Sequence, residues 1–390
     1  MSRFLLIIIY LAFISLGLPD ALLGAAWPMM YPQFEVPISY AGAISMLIAG
    51  GTIVSSLLCE RLTIRFGTGK ITFASVLMTA AALFGFSFSR SFWQLLLWAV
   101  PYGLGAGSVD ASLNNYVALH YAGRHMSWLH AMWGLGAAAG PYVMGYVLQH
   151  GQPWNAGYRI IGIIQVVLTI LLFLTLPLWR RNKNGSDKGD GTRRALSLRE
   201  IMAIPGVLPV VLVFFGYCAV EQTTGLWAAS YLVLNRGISS ETASAFAGLF
   251  FAGIMIGRFL SGFLTFKWND KQMIYLGFGI ILSGIICLTL LEGEAFALAG
   301  LLLIGLGCAP IYPCLIHATP LHFGAWRSQA VIGVQMAGAY VGTSLMPPFF
   351  GLIARHIDIG LFPLYMLFFL ALMFFMYRLL LYKTKETAAP

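Results

Sequence analysis

Long apolar runs broken by short polar gaps dominate this chain. Twelve runs can be marked, at 4–31, 40–61, 71–89, 92–118, 127–149, 157–179, 205–234, 242–265, 272–291, 295–316, 328–354 and 360–382. A bilayer-crossing helix needs about 20 mostly apolar residues, and these runs meet that length. Alternating strand patterns of about 10 residues, the mark of a membrane β-barrel, are missing. The pattern predicts an all-α membrane protein with 12 transmembrane helices. The first run is too long for a signal-peptide core and is expected to stay as a span.

One gap differs from the rest. Residues 180–200, "RRNKNGSDKGDGTRRALSLRE", are charged, Gly-rich and poor in apolar residues, the composition of a flexible connection. They divide the chain into an N-terminal six-helix bundle at 1–179 and a C-terminal one at 201–390. Shifting the second half back by 202 positions overlays the two without gaps. "GLGAG" at 103–107 falls on "GLGCA" at 305–309, Gly51 on Gly253, Gly136 and Gly140 on Gly338 and Gly342, Arg65 on Lys267, and His120 on His322. Matches in three span pairs and the loops beside them at one offset indicate duplication with parallel topology, which is how the two pseudo-twofold-related halves of major-facilitator transporters are arranged.

Composition agrees: 59% of residues are hydrophobic, 9% are charged and the mean hydropathy is +0.82. The net charge of +9 does not point to nucleic acid. Its distribution gives an orientation. Arg3, Arg61, Arg65, Lys70, Arg124, Lys267, Lys271, Arg327, Arg378, Lys383 and Lys385 lie on one side, with Arg180, Arg181, Lys183, Lys188, Arg193, Arg194 and Arg199 of the linker. The other side holds Arg90, Arg159, Arg236 and Arg355. The positive-inside rule then places both termini and the linker in the cytoplasm. The expected setting is a cell membrane, inner or plasma, crossed many times by a functional monomer.

The five Cys residues all fall in apolar segments and read as buried thiols. His120, His125, His317 and His322 have no HExxH or Cys partners, so no metal, no cofactor and no enzyme activity are expected.

Acids inside spans are costly and usually functional. Of fourteen acidic residues, Asp20, Asp110 and Glu221 lie deep, and they are the candidate proton-coupling groups. Glu60, at a helix end, reads as a solvated or motif charge. Phe13, Gly17, Asp20, Gly24 and Trp27 share one helical face by spacing, as do Gly103, Gly107, Asp110 and Asn114. Small residues mark faces turned toward other helices. Nearly all deep Lys and Arg are missing; Arg258 is the exception and reads as lying near the cytoplasmic end of its span. With no resident cation expected at mid-depth, the acids cannot all be ion-paired. On span seven, Tyr217, Glu221, Thr224 and Ala228 form one face, with Gln222 and Trp227 to either side. The overlay sets Asp20 opposite Gln222, Asp110 opposite Tyr312, and Trp133 opposite Gln335. Amides and aromatics at this depth suit a ligand with many hydroxyls. The candidate substrate-binding residues are Asn114, Gln222, Trp227, Trp133, Gln335, Tyr312, His130 and Trp27. Plain packing is the competing reading for Trp133, and an interhelical hydrogen bond for His130.

These residues resemble those of the fucose–galactose–glucose:proton symporter family within the major facilitators. The likeness rests on "GLPDALLGAAWP" at 17–28, "GAGSVDASLNNY" at 105–116, "EQTTGLW" at 221–227, "IGRFLSG" at 256–262 and "IYP" at 311–313. It implies coupling acids at Asp20 and Asp110, amides at Asn114 and Gln222, and a position at Glu221 that is not acidic in the family. Two departures stand out. In "TIRFGTGK", Ile64 occupies the place of the loop signature's acid. "GLGAAAGPYVMG" at 134–145 is similar to the Gly-Pro motif of drug–proton antiporters but lacks the final double glycine. The expectation is a proton-driven symporter of a sugar or related polyol, working by alternating access through a central cavity. Na⁺ remains open in place of H⁺. The alternative is a proton-driven antiporter exporting amphipathic compounds.

Overall fold

The computed structural model describes residues 3–180, 194–291 and 293–386. The linker charges at Arg181, Lys183, Lys188 and Arg193 lie outside them. The helices are α1 (Arg3–Gly17), α2 (Leu22–Gln33), α3 (Ala41–Phe66), α4 (Thr68–Phe88), α5 (Phe92–His120), α6 (Gly123–Gln149), α7 (Trp154–Arg180), α8 (Leu198–Ala203), α9 (Val207–Arg236), α10 (Ser240–Leu264), α11 (Asp270–Leu290), α12 (Glu294–Phe323), α13 (Ser328–His356) and α14 (Phe362–Glu386). With α1 and α2 taken as one broken pass and the short α8 set aside, the described residues make twelve passes, and the fold is all-α. Nine are apolar and long enough to cross a membrane on composition. The other three passes are α5 and α6, which between them carry Gly, Asp, Asn and His among their apolar residues, and α10, whose apolar part is shorter, Gly248–Leu264.

Local chemistry sets several ends. Ser197 and Glu200 form a reciprocal capping box that starts α8, a helix the apolar pattern did not predict. Asn269 and Gln272 do the same for α11. Gly67 alone joins α3 to α4, at φ 82°, a conformation that side chains other than glycine's resist.

The chain forms two compact units: Met1–Tyr116 with Leu129–Leu196, and Val117–Trp128 with Ser197–Pro390. The turn between α5 and α6 therefore belongs with the second unit. Each unit contains the same close crossing. A Cβ at Gly103 on α5 would collide with the carbonyl oxygen of Ile48 on α3, and one at Gly305 on α12 would collide with that of Phe250 on α10. Ile48 and Phe250 are themselves 202 positions apart, so the duplicated glycines serve duplicated contacts. In the first unit hydroxyls reinforce the crossing: Thr52 donates to the Gly103 carbonyl at 3.2 Å and Ser56 to the Gly107 carbonyl at 3.3 Å.

Glu60 is buried, and its Oε2 accepts the backbone N–H of Leu196 at 3.1 Å. This corrects the reading of a solvated charge: the carboxylate is spent on the chain where it returns from the linker.

Candidate functional site

The first pass is not one helix. Proline has no N–H and crowds the turn before it, and α1 stops at Gly17, two residues ahead of Pro19. Residues 18–21 form turns, with Asp20 N–H bonded to the Gly17 carbonyl at 3.1 Å and Leu22 N–H to Pro19 at 3.1 Å. Pro19 is also the residue whose N–H an unbroken helix would have given to the Ser15 carbonyl. Gln165 on α7 replaces it, its side-chain amide donating to that carbonyl at 2.5 Å. Farther along, Trp154 at the start of α7 donates to Gln33 Oε1 at 2.6 Å. The polar gap left by the break is filled from a neighbouring helix, as buried backbone groups require.

The break corrects the single face expected for Phe13, Gly17, Asp20, Gly24 and Trp27. Trp27 turns into an apolar cluster with Leu22, Met30 and Phe86. Asp20 remains exposed. Its Oδ1 accepts from the Tyr102 hydroxyl at 3.2 Å and its Oδ2 from Trp133 Nε1 at 2.9 Å. Trp133 reaches it because α1 and α6 touch through backbone: a Cβ at Gly17 would strike the Trp133 carbonyl, and Cβ atoms at Gly136 and Gly140 would strike those of Ile14 and Leu18.

One turn before Trp133 on α6, His130 takes part in a second set. Asn114 Nδ2 donates to Asp110 Oδ1 at 2.7 Å, and Asn114 Oδ1 lies 3.0 Å from His130 Nε2. All three side chains are buried. Phe13 meets the His130 ring edge-on, with ring centroids 5.5 Å apart. In the first unit, Asp20, Asp110, Asn114, His130 and Trp133 are thus linked through neighbouring positions of α6.

In the second unit Glu221 does have a resident cation. Arg258 is 3% exposed, and its Nη2 lies 3.4 Å from Glu221 Oε1 and 3.2 Å from the Tyr217 hydroxyl. This corrects the expectation of no resident cation at mid-depth, for Glu221: the long Arg side chain on α10 reaches the face of α9 that carries both partners. Gln335 is fully buried and pairs with Thr319, at 3.0 and 3.2 Å. Trp227 gives its indole N–H to the Pro347 carbonyl at 2.9 Å and packs edge-on against Phe350. Tyr312 packs on Phe214 and Tyr217, and its hydroxyl points to Met336 sulfur at 3.1 Å. Gln222 is partly exposed. Trp227 and Gln335 are engaged in packing, and Gln222 is the amide of this set left open.

Two residues at the site went unremarked in the sequence. Tyr102 lies eight positions before Asp110, on the same face of α5, and that spacing was the available signal. Gln165 is the single amide within "IIGIIQVVLTI", and only the break at Pro19 explains it. Among the described residues no group of three or more His, Cys, Asp or Glu is placed to hold a metal ion.

Residues 9–325 match the family model described as Major Facilitator Superfamily. "Bypass of stop codon protein 6" of Saccharomyces cerevisiae is 24% identical over 67% of this chain and 56% of its own length, so the chain spans little more than half of that relative. The "Cis,cis-muconate transport protein" of Acinetobacter baylyi is 23% identical over 90% of this chain and 87% of its own. The "Glucose/mannose transporter GlcP" of Bacillus subtilis is 21% identical over 78% and 77%. "Tetracycline resistance protein, class B" of Escherichia coli is 24% identical over 62% and 60%. Among solved structures, the E. coli fucose:proton symporter FucP superposes with a TM-score of 0.80 at 15% identity, covering 96% of this chain and 98% of that one. The proton:xylose symporter XylE gives 0.77 at 14%, covering 96% and 94%. At these identities the structural likeness establishes the fold.

Proposed function

This chain belongs to the Major Facilitator Superfamily and is a multi-pass membrane transporter, not an enzyme; from that premise we propose that it is a proton-coupled symporter of a sugar or related polyol. Asp20 carries the reading. An exposed carboxylate at a helix break, held by a tyrosine hydroxyl and an indole N–H, suits hydrogen-bonding and stacking of a hydroxylated ring. Asp110 and Asn114 lie deeper and supply the proton-binding part. Moving an uncompensated charge through the membrane interior is costly, so the empty carrier reorients with Asp110 neutralised. The sequence overlay also nominates Gln222 and Tyr312 as substrate contacts. Glu221, ion-paired to Arg258, is removed from the proton path. The neighbours that are sugar:proton symporters support this reading, as does the glucose/mannose relative. The charge distribution supports placing both termini in the cytoplasm, and a functional monomer in the cell's inner or plasma membrane is part of the proposal.

A second reading, export of amphipathic compounds by proton antiport, is favoured by the Gly-Pro segment at 134–145 and by the tetracycline-resistance relative.

The test is uptake into proteoliposomes under an imposed pH gradient. The panel contains hexoses, deoxyhexoses, polyols and drug-like cations, with a Na⁺ gradient as a parallel arm. A hexose or polyol should accumulate and be released by a protonophore. Accumulation driven by Na⁺ alone overturns the coupling ion, and movement of the cations alone favours export. Asp110→Asn should keep exchange of labelled for unlabelled substrate and lose gradient-driven accumulation.

A further inference from the structure

We infer that the imidazole of His130 belongs to the proton-binding unit of Asp110, the two sharing one proton across the amide of Asn114, and that it is not a substrate contact. This rests on the proton-coupled reading for its role in transport.

With the Asn114 amide in this orientation, the hydrogen positions follow. Asn114 spends its amide N–H on Asp110 at 2.7 Å, so the atom it turns to His130, 3.0 Å away, is its carbonyl oxygen. A carbonyl only accepts, so His130 Nε2 carries a hydrogen. Nδ1 is then the nitrogen that gains or loses the titrating proton. The amide itself does not ionise and passes no proton. It transmits charge, because an imidazolium polarises the amide toward the Asp110 carboxylate.

From α5, His130 faces Asn114 and, through it, Asp110. From α1 it faces Phe13, which is neutral. The other acids of this unit around the set are Asp20, held by Trp133 one turn along α6, and Glu60, next to Cys59 on α3 and bonded to Leu196 N–H. From α3, the thiol of Cys59 points to the Ser108 carbonyl, two residues before Asp110. His130 is the basic group tied to this set.

Two arrangements then hold the same proton: a protonated Asp110 with neutral His130, or an ionised Asp110 with imidazolium. Both are electrically neutral, which is what passage through a low-dielectric interior demands. The measured midpoint then belongs to the pair and not to either group. An imidazole also titrates in the neutral range, where a lone carboxyl ordinarily does not.

The experiment follows His130 directly and needs no substrate. Full-length protein carrying ¹⁵N-labelled histidine is titrated by NMR in lipid nanodiscs, and His130 is assigned by loss of its signals in His130→Gln. In Asp110→Asn, the His130 midpoint should fall by about half a pH unit or more, because an anion tied to it has gone. In Asn114→Leu that difference should shrink. A midpoint that is the same in wild type and in folded Asp110→Asn overturns the proposal. Should Asp110→Asn not fold, the reciprocal reading serves. In His130→Gln, the pH at which the infrared band of protonated Asp110 disappears must move, since coupling between sites is mutual, and an unmoved band overturns sharing. Failure here would leave proton-driven uptake standing, and failure of uptake would leave a shared proton standing.

Discussion

The indole Nε1 of Trp133 donates to Asp20 Oδ2 across 2.9 Å, joining the mid-section of α6 to the gap between α1 and α2. The bond holds a carboxylate that is otherwise open, and it keeps an aromatic ring beside it. Trp133→Phe retains the ring and removes the donor. A hydrogen bond to a charged group contributes about 1.5–3 kcal/mol. We expect the mutant to fold and its affinity for the best ligand of the panel to change about tenfold or more, read by a binding isotherm. Tyr102→Phe should act in the same direction. Unchanged affinity in both would place Asp20 outside the binding site.

Gln165→Leu strips the Ser15 carbonyl of its donor. An unsatisfied buried acceptor costs about 1–3 kcal/mol, so the melting temperature in detergent should drop. Pro19→Ala restores an N–H within reach of that carbonyl. The double mutant should therefore lose less than Gln165→Leu alone, and a strictly additive loss would refute the account.

The pair Glu221–Arg258 should behave as a buried ion pair does. Removing one partner leaves an uncompensated charge and costs about 3–5 kcal/mol, whereas replacing both is much milder. Arg258→Met should express poorly, and Glu221→Gln with Arg258→Met should recover much of the folded yield in size-exclusion profiles. If the double variant is as poor as the single, Arg258 has another essential partner.

Gly103→Ala and Gly305→Ala should be damaging to a similar degree, because each adds a methyl against a carbonyl in an equivalent crossing. Overpacking of this kind costs about 1–3 kcal/mol. A thermal melt of each variant checks the equivalence.

The passes and their duplication were readable because burial in lipid imposes long apolar runs, and because close helix crossings need glycine at fixed spacing. Asp20 and Asp110 stood out for the same reason, as carboxylates in segments that penalise them. Which way a side chain turns depends on neighbours that spacing does not show. Trp27 has the spacing of a ligand-facing residue only if the helix continues through Pro19, which it does not. Arg258 seemed remote from Glu221 because depth along one span says nothing of the reach of a side chain to the next. Gln335 and Trp227 have the residue type and depth of ligand contacts, and only the fold shows that Thr319 and the Pro347 carbonyl take up their polar atoms.

Gln165 and Trp154 lie eleven positions apart on α7, about three helical turns, and so share a face. One is tied to Ser15, ahead of the break at Pro19, and the other to Gln33, beyond it. An intact helix thus acts as a splint along a fractured one. The fracture exposes a carboxylate and frees its backbone from helical geometry, while the two fragments stay fixed to a common support. Irregular backbone can in this way be kept rigid: Asp20 is held at a standing gap in the first pass, and a ligand binding there would not bear the cost of ordering a loose segment.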